Sequence, residues 1–123
     1  MKKLLAATCL ALVSSTAAMA QDTPKAATTT ETFVGFCQNK GDVAAQNFCH
    51  GFGQGVYDTY LITRHAKNAP HFICAAASNQ NKTRQDYITD FVKWSVANPR
   101  FNQMAAADTI LRFLGESYPC KKG

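Results

Sequence analysis

The chain has 123 residues, 46% of them hydrophobic and 17% charged, with thirteen Lys and Arg against eight Asp and Glu. That is one domain's length at a near-average globular composition, which excludes wholesale disorder and a multidomain enzyme. The formal net charge of +5 is spread over scattered bases rather than a stripe, so no nucleic-acid partner is indicated and the surface is biased only mildly toward acidic partners.

Residues 1–20 read as a cleaved signal peptide. Lys2 and Lys3 form its charged start, Leu4 to Val13 its apolar stretch, and Ala18-Met19-Ala20 a small-x-small cleavage site. The apolar stretch falls well short of the ~20 residues a spanning helix needs, and no later stretch approaches that length, so no membrane span is expected. Cys9 follows Thr8 with only Leu4 to Ala7 ahead of it, which does not fit a lipidation site. The compact, Ala-rich style is bacterial, and the expected destination is the periplasm. Residues 21–30 (QDTPKAATTT) read as a flexible lead-in, with the folded domain expected over 31–123.

From Glu31 the pattern is helical. Phe33, Val34, Phe36 and Cys37 mark a short first helix, with Gly41 of Asn39-Lys40-Gly41 as its C-terminal stop. Asp42 is placed as the N-cap of a second helix, in which Ala45, Phe48, Phe52, Val56 and Tyr60 fall mostly at i+3/i+4 steps. After Arg64 comes a polar connection containing Pro70. Thr83 and Asp86 predict a capping box for a third helix that carries Tyr87, Ile88, Phe91, Val92 and Trp94 and ends at Asn98-Pro99. A fourth is expected from Phe101 to Glu116, with Met104, Ala107, Ile110, Leu111 and Leu114 inward. No strand-like alternation of useful length is present. The expected fold class is all-α, a small four-helix bundle stapled by two disulfides.

Setting Cys9 aside leaves Cys37, Cys49, Cys74 and Cys120, an even set that in a small exported domain reads as two disulfides. No pair has C-x-x-C spacing, so neither a thioredoxin-type site nor a zinc knuckle is indicated. Four Cys allow three connectivities. The helices favour Cys37–Cys49, joined across a short turn, and Cys74–Cys120, at the end to which the fourth helix returns.

Three motifs invite a chemical reading. Gly51, Gly53 and Gly55 lack the third glycine of a dinucleotide fingerprint, since Val56 stands there. Gly51 and Gly55 are read instead as an i, i+4 pair for close helix packing. His65-x5-His71-x2-Cys74 has loosely metal-like spacing, but Cys74 is assigned to a disulfide, as is Cys49 beside His50. Asp58, Asp86, Asp90, Asp108 and Glu116 are isolated along helices. No catalytic residue, metal or cofactor is expected, and the protein is read as a non-enzymatic binding module.

The order of Cys, Gly and Pro carries a resemblance. Cys49-His50-Gly51-Phe52-Gly53-Gln54-Gly55 resembles the C-x-G-aromatic-x-x-G segment of the Tai-type family, the immunity proteins for type VI secretion amidase effectors. Cys37 resembles that family's upstream Cys, and Cys74 its mid-chain Cys, although Ala75-Ala76 stand where the family often has x-Pro. Phe91 to Trp94 through Asn98-Pro99, Leu111 to Leu114, and Tyr118-Pro119-Cys120 are similar to its later helices and its aromatic-Pro-Cys terminus. The resemblance implies a periplasmic inhibitor that binds a peptidoglycan amidase effector, and such proteins are often homodimers. These motifs do not encode the effector contacts. The longest irregular stretch, Arg64 to Asn81, is therefore read as the partner-binding segment, with Lys67, Asn68 and His71 as its contact groups. The alternative reading is a small helical acid-stress or chaperone-like periplasmic protein, suggested by the three His and the basic balance.

Overall fold

A computed structural model of the chain describes residues 27–75 and 81–121. The signal-peptide reading, the start of the lead-in and residues 76–80 of the long connection lie outside the described residues. Among these residues four helices follow in order: α1 (Thr30–Gln38), α2 (Val43–Ala66), α3 (Arg84–Ala97) and α4 (Ala106–Ser117), with one 3₁₀ turn (Pro99–Phe101) between α3 and α4. No strand is present among the described residues, only two isolated bridges. The all-α bundle expected from the sequence is the fold observed.

Local chemistry sets most of the boundaries. The Asp42 carboxylate accepts from the Ala45 N–H at 3.1 Å, satisfying an orphan donor of α2. The Thr83 hydroxyl and Asp86 carboxylate form the reciprocal capping box that starts α3. The end of α1 differs from expectation. Gly41 takes no positive φ, and the terminal carbonyls are instead satisfied from α2: Gln46 Nε2 donates to the carbonyls of Phe36 (3.1 Å), Cys37 (3.2 Å) and Asn39 (3.0 Å). One side-chain amide thus does what a left-handed glycine would otherwise do.

The last helix also starts later than the periodicity suggested. Pro99 to Phe101 form the 3₁₀ turn, and α4 begins only at Ala106. Its inward stripe is Ala106, Thr109, Ile110, Phe113 and Leu114. Met104, in the preceding turn, and Ala107 and Leu111, at the stripe's edge, are only half-buried.

Phe33 is the hub of the core, 2% exposed, with the rings of Phe52 and Phe91 at 5.0 and 5.7 Å. Two clips close the bundle around it. In the first, Thr28 to Thr30, read from sequence as the end of a flexible lead-in, fold onto the turn before α4. The Ala106 N–H donates to the Thr28 carbonyl at 2.8 Å and the Thr30 N–H to the Met104 carbonyl at 2.9 Å. The fully buried Thr30 hydroxyl hydrogen-bonds Thr109 Oγ1 at 2.8 Å and the Met104 carbonyl at 3.0 Å. In the second, the Cys74 N–H donates to the Tyr118 carbonyl (2.9 Å) and the Cys120 N–H to the Phe72 carbonyl (3.2 Å), beside the Cys74–Cys120 disulfide. Cys37–Cys49 joins α1 to α2, so both pairings favoured by the helices are present.

Candidate interaction site

The segment after α2 is held against that helix rather than standing free. The Tyr60 hydroxyl, on a side chain only 4% exposed, accepts from the N–H groups of Phe72 (2.8 Å) and Ile73 (3.0 Å). Two backbone donors of an irregular segment thereby find a partner that no strand supplies. The Arg64 guanidinium lies 4.8 Å from the Phe72 ring centre and 5.7 Å from that of Tyr60, within cation–π range.

Of the sequence-predicted contact groups, Lys67 and Asn68 are exposed where α2 ends, and His71 is exposed with its ring edge-on to Tyr60 at 5.9 Å. Asn68 also has a conformational duty: its φ of 49° is the left-handed value that ends α2, a region Asn tolerates better than most side chains. Sequence reasoning missed Phe72 here. It is 41% exposed, directly follows His71, and lies edge-on to Tyr60 at 4.9 Å.

A second cluster lies where the C-terminal clip meets α3. Lys82 Nζ pairs with the Asp90 carboxylate and lies 3.0 Å from the Tyr118 hydroxyl, which in turn donates to Asp90 at 2.9 Å. The hydrogen bond from Lys82 holds the Asp90 carboxyl below the usual carboxylate range, and the same bond raises the Lys82 ammonium. Burial pushes the Tyr118 phenol up. Beside it, Tyr87 donates to the Ala75 carbonyl at 3.0 Å. The arrangement fixes the chain where it enters α3.

Between these features an apolar cleft of about 390 Å³ opens among all four helices. Phe33, Phe91, Ile88 and Phe113 form its floor, and His50, Gln54, Lys82 and Arg84 line its polar side. The glycines of α2 divide here. A Cβ on Gly51 or Gly55 would meet nothing within 4 Å, so among the described residues nothing packs closely over that pair, where the sequence reading placed a helix contact. Gly53, assigned no role there, faces the cleft with Phe33 Cζ 4.0 Å from its Cβ position.

Among the described residues, no three His, Cys, Asp or Glu side chains group as metal ligands, and no helix is long and apolar enough to cross a membrane. His50, His65 and His71 are separated along α2 and the segment after it.

A family model described as Rap1a immunity proteins matches residues 29–120. No curated protein and no solved structure matches the chain.

Proposed function

This chain belongs to the Rap1a immunity proteins, and from that premise we propose that it binds a toxic effector protein and neutralises it by occupying its active surface. The observation that carries the reading is the extent of the match. It runs from Thr29, where the first clip closes on Ala105, to Cys120, where the second ends, so the family pattern and the folded unit coincide.

We infer further that the effector is a peptidoglycan-cleaving amidase delivered by a type VI secretion system, and that the protein meets it in the periplasm. The Cys49 to Gly55 segment supports the amidase assignment through its resemblance to the Tai-type family. Two disulfides suit an oxidising compartment outside the cytoplasm. Inhibition is by binding alone, and a homodimer is the proposed assembly. The proposed contact surface is the segment after α2, where Lys67, Asn68 and His71 offer hydrogen bonds around the exposed Phe72 ring, a polar rim about an aromatic anchor.

The test is capture of purified cell-wall amidases by the oxidised protein, followed by assay of the captured enzyme's hydrolysis of peptidoglycan. A stoichiometric complex with one amidase, inactive while bound, is the expected result. Binding to none of a broad panel, with capture instead of a toxin of another chemistry, would remove the amidase assignment and keep the family one. To map the surface, Lys67→Ala and His71→Ala are combined with Asn68→Gly, which preserves the left-handed φ at 68. Affinity should fall while helicity stays constant. Unchanged affinity would remove this segment from the interface.

A further inference from the structure

The cleft between the helices has a composition that the effector-binding reading does not use. Its volume of about 390 Å³ lies in the range of small-molecule sites, which are mostly apolar with a few placed polar groups. Among its described lining residues there is no carboxylate, while Lys82, Arg84 and His50 contribute three basic side chains. The three are not equivalent. Lys82 is paired with Asp90, but Arg84, exposed in the first turn of α3, makes no ion pair or cation–π contact with another described residue. The site's charge is therefore positive and partly uncommitted, above a floor of phenylalanine rings.

Gly53 is the second observation. A glycine in a helix interior costs about 1 kcal/mol relative to alanine, and Gly53 sits near the middle of α2. Its Cβ position is clear of close contact, with only Phe33 Cζ at 4.0 Å. No steric conflict excludes a side chain at 53. What the glycine does is leave the wall of the cleft open.

We propose that this cleft binds a small amphipathic anion: a molecule with one acyl chain or aromatic ring against the part-exposed Tyr57 and Tyr87, over the buried rings of Phe33, Phe91 and Phe113, and a carboxylate or sulfonate facing Arg84. None of the proposed effector contacts, Lys67, Asn68, His71 and Phe72, lines this cleft, and the proposal does not rest on the identity of any effector.

The experiment uses the oxidised full chain and 8-anilinonaphthalene-1-sulfonate, an aromatic anion, as fluorescent probe. Saturable binding at one site is expected, with displacement by dodecanoate and several-fold weaker displacement by neutral dodecanol. Gly53→Leu should fill the cleft, abolish binding and leave the circular dichroism spectrum unchanged. Arg84→Glu, on an exposed side chain remote from the core, should weaken dodecanoate by about fivefold, the scale of a single exposed charge interaction, and leave dodecanol unaffected. Should Gly53→Leu misfold, the Arg84→Glu comparison still decides the charge, and dodecanoate-induced shifts of the Gly53 and Ile88 amide resonances decide the place. The proposal is overturned by a folded Gly53→Leu protein that binds the probe as before, by dodecanol displacing as well as dodecanoate, by no binding at all, or by amide shifts confined to other residues.

Discussion

Removal of the two disulfides offers a quantitative test of what holds this bundle together. Cys74 and Cys120 are 46 residues apart and Cys37 and Cys49 only 12. In the chain-entropy treatment, opening the longer loop costs about 4 kcal/mol and the shorter about 3 kcal/mol. Packing acts in the opposite order. Cys37 and Cys49 are fully buried, whereas Cys74 and Cys120 are partly exposed, so truncation to Ala leaves voids at the first pair, at about 1 kcal/mol per buried sulfur. The Cys37→Ala/Cys49→Ala protein should therefore lose at least as much stability as Cys74→Ala/Cys120→Ala, about 5 against about 4 kcal/mol, despite closing a loop a quarter as long. Urea unfolding reads both, followed by the fluorescence of the single Trp, Trp94, which stacks on Phe101 at 5.3 Å. The slope with denaturant separates the causes, since releasing the longer loop expands the unfolded chain more and should raise that slope more. A loss below about 1 kcal/mol for Cys74→Ala/Cys120→Ala, with an unchanged slope, would refute the loop-entropy account for this bridge.

Tyr60→Phe keeps the ring and removes the acceptor shared by the Phe72 and Ile73 N–H groups. Thermal unfolding should show a loss of about 2 kcal/mol, the cost of leaving buried donors unpaired, and exchange at those two amides should accelerate before any in α1. Gln46→Ala should cost about 1 kcal/mol by uncapping α1, and Gln46→Glu more than that, because a carboxylate cannot donate to three carbonyls. Asp90 titrates low in the folded protein because of its bond from Lys82. Its contribution to stability is therefore complete above the unfolded-state value near 4 and is lost as pH falls through the lower folded-state value. Asp90→Asn should flatten the acid limb of stability below about pH 4, with a residual slope from Asp86, whose carboxylate is held low by its bonds from Thr83. An identical limb in the variant would remove this pair from the acid response.

The helices were legible because their signals are local. Asp42 and the Thr83–Asp86 box lie within a turn of the donors they satisfy, and the i+3/i+4 aromatics of α2 describe one face directly. The disulfide pairing was legible because helix order leaves few workable geometries. The bonds that join distant segments were not. Gln46 is an unremarkable polar residue on α2 until the end of α1 is folded over it, and nothing around Tyr60 announces two backbone donors twelve and thirteen residues later. Thr30 looked like the end of a polar tail because its partner, Thr109, lies in the last helix. The cleft was hidden for the same reason. Gly53 stands in one run with Gly51 and Gly55, and only the packed structure shows that it faces the cleft while the other two face open space.

The two clips have a consequence for the order in which the molecule can be assembled. Thr30 finds its hydroxyl partner 79 residues further along the chain, and the segment at Phe72 to Cys74 closes on residues 118–120. Contacts of such long sequence separation form only after their loop-closure entropy has been met. A nascent chain that has reached Arg100 has α1, α2 and α3 but neither surface onto which residues 28–30 and 72–74 dock. Chains shortened by even α4 alone should therefore be found with the unfolded population rather than as a smaller bundle, and the native state should appear in one cooperative step once the final twenty residues are available.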